Sequence, residues 1–391
     1  MLDPIIAFFQ GVFAAIGKGI GYVIGAILWP FLAFGRWYNR RSWLVRVPVA
    51  IIVLIFIAGY LHLIWITQFW NPPAPDYADK YAPGGDNIAA TATLEPGQPT
   101  AVANVGAGDA GTPGDAQGAV GGQCAPSQIA RVAADLIELN TVDSTWIAQQ
   151  PLYKAGLFGY AWRYTPHFDN RAAFQLGINQ AVRRTAVELV DRLGRVRGTS
   201  TVNSNLQQAR EAANYREDAW FLTSGLPFIQ PTTSSRLREA MGHLRDFNDE
   251  LVACDANFDA RADNLLQFLD RITADIGSTS EILRSRIAEG GFTGFDVRAD
   301  DRFWFTYGQL FAYHGILSAV RSDFADVFDQ RNLEALWVRL SEQTEEAIST
   351  TPPMIANASQ SSLIKNHLES IGFDLLRVRS NMVEIRDVLD R

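Results

Sequence analysis

Five histidines, two cysteines and several carboxylate runs are the residues with chemistry to offer, and their spacing decides which chemistry. His62, His167, His243, His314 and His367 never stand three or four residues apart. None falls in the H-E-x-x-H arrangement by which one helical face holds zinc. His314 follows Trp304, Tyr307 and Phe311 on one helical face and reads as a hydrogen-bonded core histidine. Asp323, Asp326 and Asp329 recur every third residue on a helix, without the loop of a calcium site, and read as a solvated face, as do Glu342, Glu345 and Glu346. Gly290-Gly291-Phe292-Thr293-Gly294-Phe295 lacks the Lys-Ser/Thr pair of a phosphate loop and follows a helix, not a strand. The aromatic-rich stretch around Tyr153, Phe158 and Gly159–Trp162 could line a groove or touch a membrane, and core packing is the preferred reading. Two separated carboxylates could serve a glycan hydrolase, but any acidic domain offers many such pairs. No catalytic, cofactor-binding or metal-ligating residue is therefore assigned, and no cofactor is expected.

The two thiols, Cys124 and Cys254, exclude a cysteine-based zinc site and a disulfide-framework fold. On the oxidising side of a membrane a bond between them is the natural outcome, provided their Cα atoms lie within ~7 Å; in a cytoplasm they read as packing residues.

The elements that must position these residues follow from composition. The 391 residues carry a net charge of −8, with 48% hydrophobic and 19% charged residues. Clustered Lys and Arg are what a polyanion needs, so no nucleic-acid partner is expected. The apolar residues are concentrated at the front. Pro48–Trp70 has no formal charge, and 23 residues at ~1.5 Å each cross a ~30 Å hydrocarbon core. Trp37, Tyr38 and Trp43 flank one end and Trp65 and Trp70 the other, as interfacial belts require. His62, near the outer end, reads as a neutral interfacial residue. Arg36, Arg40, Arg41 and Arg46 precede the span, so the positive-inside rule places them in the cytoplasm and all that follows Trp70 outside it. Upstream, residues 4–35 are apolar, with Gly17, Gly21 and Gly25 in a small-xxx-small run that suits close helix packing in lipid. An embedded helical hairpin is preferred for them; an interfacial or re-entrant helix, favoured by the mid-segment Lys18, stays open.

Residues 84–123 hold ten Gly, nine Ala and three Pro and no aromatic, so they cannot bury enough surface to offset ordering entropy. The organisation read from this is an apolar segment and basic turn at 1–46, a transmembrane helix at 47–70, a flexible linker at 71–123 and an all-helical periplasmic domain at 124–391. The fold class is thus all-α: helical periodicity runs from Pro126 onward, and alternating strand patterns are absent. Helices are expected at about 201–215, 234–254, 258–276, 279–289, 301–329, 332–349 and 361–390, with Gly277-Ser278 as one break. In the last, Ile364, Leu368, Ile371, Leu375, Val378, Met382, Ile385 and Leu389 form a heptad seam that Leu376, Val383 and Val388 widen, which favours packing within the chain over an oligomerising coiled coil.

The stretch FDARADNLLQFLDRI at 258–272, with DNRAAFQLGINQAVRRTAVELVDRLGR at 169–195 and the region from Asp300-Asp301 to Asp323-Phe324-Ala325, resembles the bacterial family catalogued as domain of unknown function 2333. The resemblance spans most of 126–391 and implies a membrane-anchored bacterial protein with a helical body and no known activity. Within the motif, Asp259 can cap a helix, Asp263 suits the positive end of its dipole, and Arg261 can pair with an acid of a neighbouring helix; Asn264 lies beside them. A ligand-binding role for these four is the rival reading.

The function read from the sequence is a non-enzymatic, inner-membrane-anchored envelope protein whose periplasmic domain acts as scaffold or partner-recognition module. Its partners are the lipid bilayer and other envelope proteins, with a homo-oligomer through Gly17–Gly25 or the C-terminal heptad helix. Rivals are a glycan or peptidoglycan hydrolase and a helical domain that binds lipid or a small molecule.

Overall fold

The computed structural model describes residues 21–391 apart from 23, 24, 27, 85–123, 158, 166, 196–201, 224, 290–295, 297, 353 and 359–364. The chain divides into two compact units, Met1–Leu63 and Ile64–Arg391.

The first unit contains helix α1 (28–39) and most of α2 (Trp43–Gln68). Among the described residues, α2 is the one helix long and apolar enough to cross a membrane. It starts earlier than Pro48, which stands inside it. An apolar helix bears the one missing backbone bond where the surrounding ladder is intact. The basic turn is tied by Arg46, whose Nε donates to the Tyr38 carbonyl (3.2 Å) while the Tyr38 hydroxyl donates to the Arg46 carbonyl (3.1 Å). Gly21 and Gly25 have open space where a Cβ would stand. Gly17 lies outside the described residues.

The second unit is helical throughout, with isolated bridges but no strand among the described residues. Its helices are α3 (Gln128–Thr141), α4 (Pro151–Ala155), α5 (Asn170–Glu188, continued by a π turn to Leu193), α6 (Ser204–Ala213), α7 (Thr233–Val252), α8 (Ala262–Ala288), α9 (Ala299–Asp323), α10 (Ala325–Arg331), α11 (Glu334–Ser349) and α12 (His367–Leu389). The core runs through α5 and α9, which cross backbone against backbone. A Cβ on Gly177 would lie 2.0 Å from the Phe305 carbonyl oxygen, and one on Gly308 2.1 Å from that of Phe174. Only glycine permits this approach.

Two helix ends differ from the periodicity. Residues 262–288 form one helix through Gly277-Ser278. A Cβ at Gly277 would already be 3.3 Å from Arg379 Nε of α12, so the glycine serves helix contact instead of a turn. The helix expected over 301–329 breaks at Phe324, because its last turn is drawn into the core, where Phe324 is 1% exposed. In α12, Leu368, Ile371, Leu375, Val378, Met382, Ile385 and Leu389 are all buried, chiefly against α8 and α11, so the heptad seam is filled within the chain; Ile364 lies outside the described residues.

Candidate functional site

The end of the expected span, residues 64–70, belongs to the helical body instead, and Trp70, expected at the membrane interface, packs inside it. Arg171 Nη1 donates to the Ile66 carbonyl (2.6 Å), and Gln68 Nε2 donates to that of His167 (3.0 Å). Trp70 is held between Phe174 (5.3 Å) and Trp304 (5.2 Å), on the first turns of α5 and α9. One end of the body, made by the N-termini of α5 and α9 and the C-terminus of α3, thus receives residues 64–71.

From there a strap runs along α9. Pro75–Tyr81 is a 3₁₀ helix with Pro at its start and Tyr81 buried. The Tyr77 ring stacks on Phe311 at 4.2 Å. Its hydroxyl donates to the Phe311 carbonyl (2.5 Å) and accepts from Gly315 N (3.1 Å). Those two groups are i and i+4 of one helical turn, so the hydroxyl is inserted at the helical ladder. Burial pushes the Tyr77 phenol far above its usual range. Further on, Tyr81 Oη and Lys80 Nζ both reach Asp135 Oδ2 (2.7 and 3.0 Å), and Ser322 Oγ donates to the Tyr81 carbonyl (2.5 Å). Residues 71–84 therefore differ from the flexible linker expected over 71–123: their aromatics are core residues of the body, a role that a Pro- and Asp-rich sequence conceals.

The chain re-enters at the same place. Asp323, the last residue of α9, accepts from Ser127 Oγ (2.7 Å), Gln128 N (2.7 Å) and Ile129 N (3.0 Å), and so caps α3. Burial lifts its carboxyl to about 6 against those bonds. Asp323 is thus not on a solvated face, as its spacing from Asp326 and Asp329 had implied. Asn248 of α7 brackets Ser127, accepting from its N–H (2.9 Å) and donating to its carbonyl (3.0 Å). Next to this, Cys124 and Cys254 form a disulfide, with Cα atoms 5.2 Å apart. Cys254 takes a left-handed φ of 63° just past α7. Tyr81 and Ser127, which stand before and after residues 85–123 in the chain, both dock at the C-terminal end of α9.

At the opposite, α2-receiving end three acids converge. Asp169 precedes α5, and Asp300 and Asp301 open α9. Asp169 is 1% exposed and lies against the carboxyl of Asp301. Burial first, then the charges of Asp301 and Asp300, hold its carboxyl well above the usual range. Burial lifts Asp300 to about 7. Asp300 accepts from Asp301 N (3.1 Å), and the Asn170 amide links Asp300 Oδ2 to Trp304 Nε1 at 3.1 Å each. Among the described residues no cluster of three His, Cys, Asp or Glu is placed to hold a metal ion. The deep charge of the core is different: Asp275 of α8 is saturated by Gln309 Nε2 (2.6 Å), Tyr313 Oη (2.7 Å), Gln180 Nε2 (2.7 Å) and Arg184 Nε (3.2 Å), which fastens α8 to α5 and α9. The sequence offered Asp169 and Asp300-Asp301 only as parts of the family-like segments. Nothing in their spacing, 131 residues apart, brings them together.

The 259–264 motif is local. Arg261 Nη2 meets Asp259 Oδ2 at 2.7 Å and Arg261 Nε meets Asp263 Oδ1 at 3.6 Å. Asn264 Nδ2 donates to the Asp259 carbonyl (2.9 Å), and Asp259 N donates to the Leu193 carbonyl (2.8 Å), which fixes the entry to α8 beside the end of α5. The Arg261 pairs stay within its own turn and do not cross to a neighbouring helix. Asp259 does not cap α8; Arg261 occupies the capping position without a side-chain bond. His314 is buried, and burial lowers its pKa. Among the described residues, four surface cavities have volumes of about 210 to 270 Å³. Small-molecule sites typically offer ~300–1,000 Å³.

Residues 64–391 form a helical body, and the unit before them carries a helix long and apolar enough to cross a membrane. The chain belongs to the family described as an uncharacterized protein conserved in bacteria (DUF2333), whose model matches residues 139–293 and 293–391. No curated protein and no solved structure matches it.

Proposed function

We propose that this is an inner-membrane protein of the bacterial envelope whose helical body, outside the cytoplasm, acts as a non-enzymatic scaffold that recognises other envelope proteins. The observation that carries the reading is that the last turn of the apolar helix and the residues just after it are built into the body. Ile66 is bonded by Arg171 of α5, Gln68 bonds the His167 carbonyl just before α5, and Trp70 and Tyr77 pack on α5 and α9, so the chain enters the body through ordered contacts and the body offers a folded surface to partners. The arginines at 36, 40, 41 and 46 support the orientation, and the Cys124–Cys254 bond suits an oxidising compartment.

The test has two arms. A reporter active only outside the cytoplasm, fused after Arg391, is expected to be active; activity of a cytoplasm-only reporter there overturns the orientation. The full chain extracted in mild detergent is expected to migrate in an assembly with other envelope proteins and to leave isolated peptidoglycan intact. Release of glycan fragments, or migration of the chain alone, overturns the scaffold.

A further inference from the structure

Between α6 and α7 the chain makes an excursion that the core does not explain. From Ala219 to Thr233 it carries no charged residue. Leu222 and Ile229 pair as an antiparallel bridge, with Thr223 N donating to the Phe228 carbonyl (3.0 Å) and Gln230 N to that of Phe221 (3.0 Å). The base is held by polar bonds: Ala219 N donates to Thr233 Oγ1 (2.9 Å) and Gln230 Nε2 to the Trp220 carbonyl (2.7 Å). The tip is bare. Leu226 is 84% exposed, Ile229 72% and Phe228 60%, with Phe221 and Leu222 also exposed. Exposed apolar side chains grouped on one hairpin mark an interaction surface.

Its place in the fold says what covers it. The base is fastened to the end of the body that receives residues 64–71. Gln149 exchanges two bonds with Ser234 at the start of α7 (2.9 and 3.0 Å), and Trp146 Nε1 donates to the Glu217 carbonyl (2.7 Å). Lys154 of α4 meets Asp218 at 3.0 Å. The same 140–149 segment is clamped to α5 by Gln175, which bonds Thr145 O (2.9 Å) and Ile147 N (3.0 Å). Phe69, Trp70, Asn140 and Arg171 line one shared cavity. The hairpin base and the point where the apolar helix joins the body are therefore two features of one end of the bundle.

We propose that the tip of the 219–233 hairpin inserts among the acyl chains of the leaflet from which α2 emerges, as a second membrane contact. This rests on the membrane reading above. An uncharged tip with a tryptophan at its base matches the apolar-to-interfacial gradient of a leaflet. The hairpin base and residues 64–71 share one end of the body, so the tip lies at the end where the chain arrives from the apolar helix.

The test uses the full chain in phosphatidylethanolamine–phosphatidylglycerol vesicles whose acyl chains carry bromine at defined depths. Leu226→Cys is labelled with bimane, the native cysteines being bonded. Asp329→Cys, exposed just beyond the other end of α9, is the reference. The label at 226 is expected to lose most of its emission to acyl-chain bromine, and the label at 329 none. Equal quenching at the two positions, or none at 226, overturns the proposal. So does a label at 226 that is shielded from aqueous iodide but not quenched by bromine, since a protein then covers the tip. Flotation of the same vesicles reports anchoring by α2 separately: a chain that floats with an unquenched tip refutes the hairpin alone, and a chain that does not float refutes the membrane reading.

Discussion

Gly315→Ala puts a methyl group where the strap is locked to α9. The added Cβ would stand 2.5 Å from Tyr77 Oη, 2.9 Å from Cζ and 3.0 Å from Cε2. A phenol ring cannot bend away, and this one is backed by Phe311 at 4.2 Å, so relief requires the strap to lift. Overpacking of this kind costs about 1–3 kcal/mol. A displaced buried hydroxyl forfeits about 1–3 kcal/mol more. Alanine returns about 1 kcal/mol through helix propensity, which leaves a net loss of about 3 kcal/mol. Tyr77→Phe removes the hydroxyl and lets Gly315 N return to the Phe311 carbonyl, so its cost is about 1 kcal/mol. Combined, the two changes are expected to cost about 1–2 kcal/mol less than their sum, because the shortest contact disappears with the hydroxyl. The assay is denaturant unfolding of the full chain in detergent, followed by tryptophan emission, to which Trp70 contributes from its place between Phe174 and Trp304. Additivity within about 0.5 kcal/mol would mean that Gly315 and Tyr77 do not meet, and would refute the reasoning.

A chain that starts at Ile64 is expected to melt as one cooperative unit, whereas one that starts at Cys124, lacking Trp70 and Tyr77, should melt several degrees lower; equal melting points would show the strap to be dispensable. Reducing the Cys124–Cys254 bond, which spans 130 residues, should cost about 5 kcal/mol in the chain-entropy model, read as the difference between reduced and non-reduced melts; two reactive thiols in the unfolded, non-reduced chain would contradict the bond. Asp300 keeps its proton in the fold, up to about pH 7, where the unfolded chain has released it near pH 3.8. The unfolded state then binds fewer protons, so stability falls as pH rises through this window, by at most about 4 kcal/mol for this group. Asp300→Asn should therefore shrink the gap between melting points at pH 5 and pH 8, and an unchanged gap would refute the burial argument.

What the sequence by itself determined is whatever depends on near neighbours along the chain. The all-helical class, the apolar helix and the buried seam of α12 are legible because helix burial repeats every three or four residues and needs no knowledge of the partner. The family-like segments were legible as pattern, although not as contacts. Tertiary structure alone decided what lies between distant residues. Tyr77 looks like a linker residue until Gly315, 238 positions away, opens the notch that accepts its hydroxyl. Asp323 looks solvated until it meets the bare N–H groups of α3, and Asp169 looks ordinary until α9 brings Asp300 beside it. The Gly/Ala-rich composition of 84–123 predicts a segment without a core, but only the tertiary structure shows that Tyr81 and Ser127, on either side of it, dock at the same end of α9. Periodicity records which face of an element is buried; the energy of a hydrogen bond or a close glycine contact belongs to a pair, and the chain order of a single sequence does not encode the pairing.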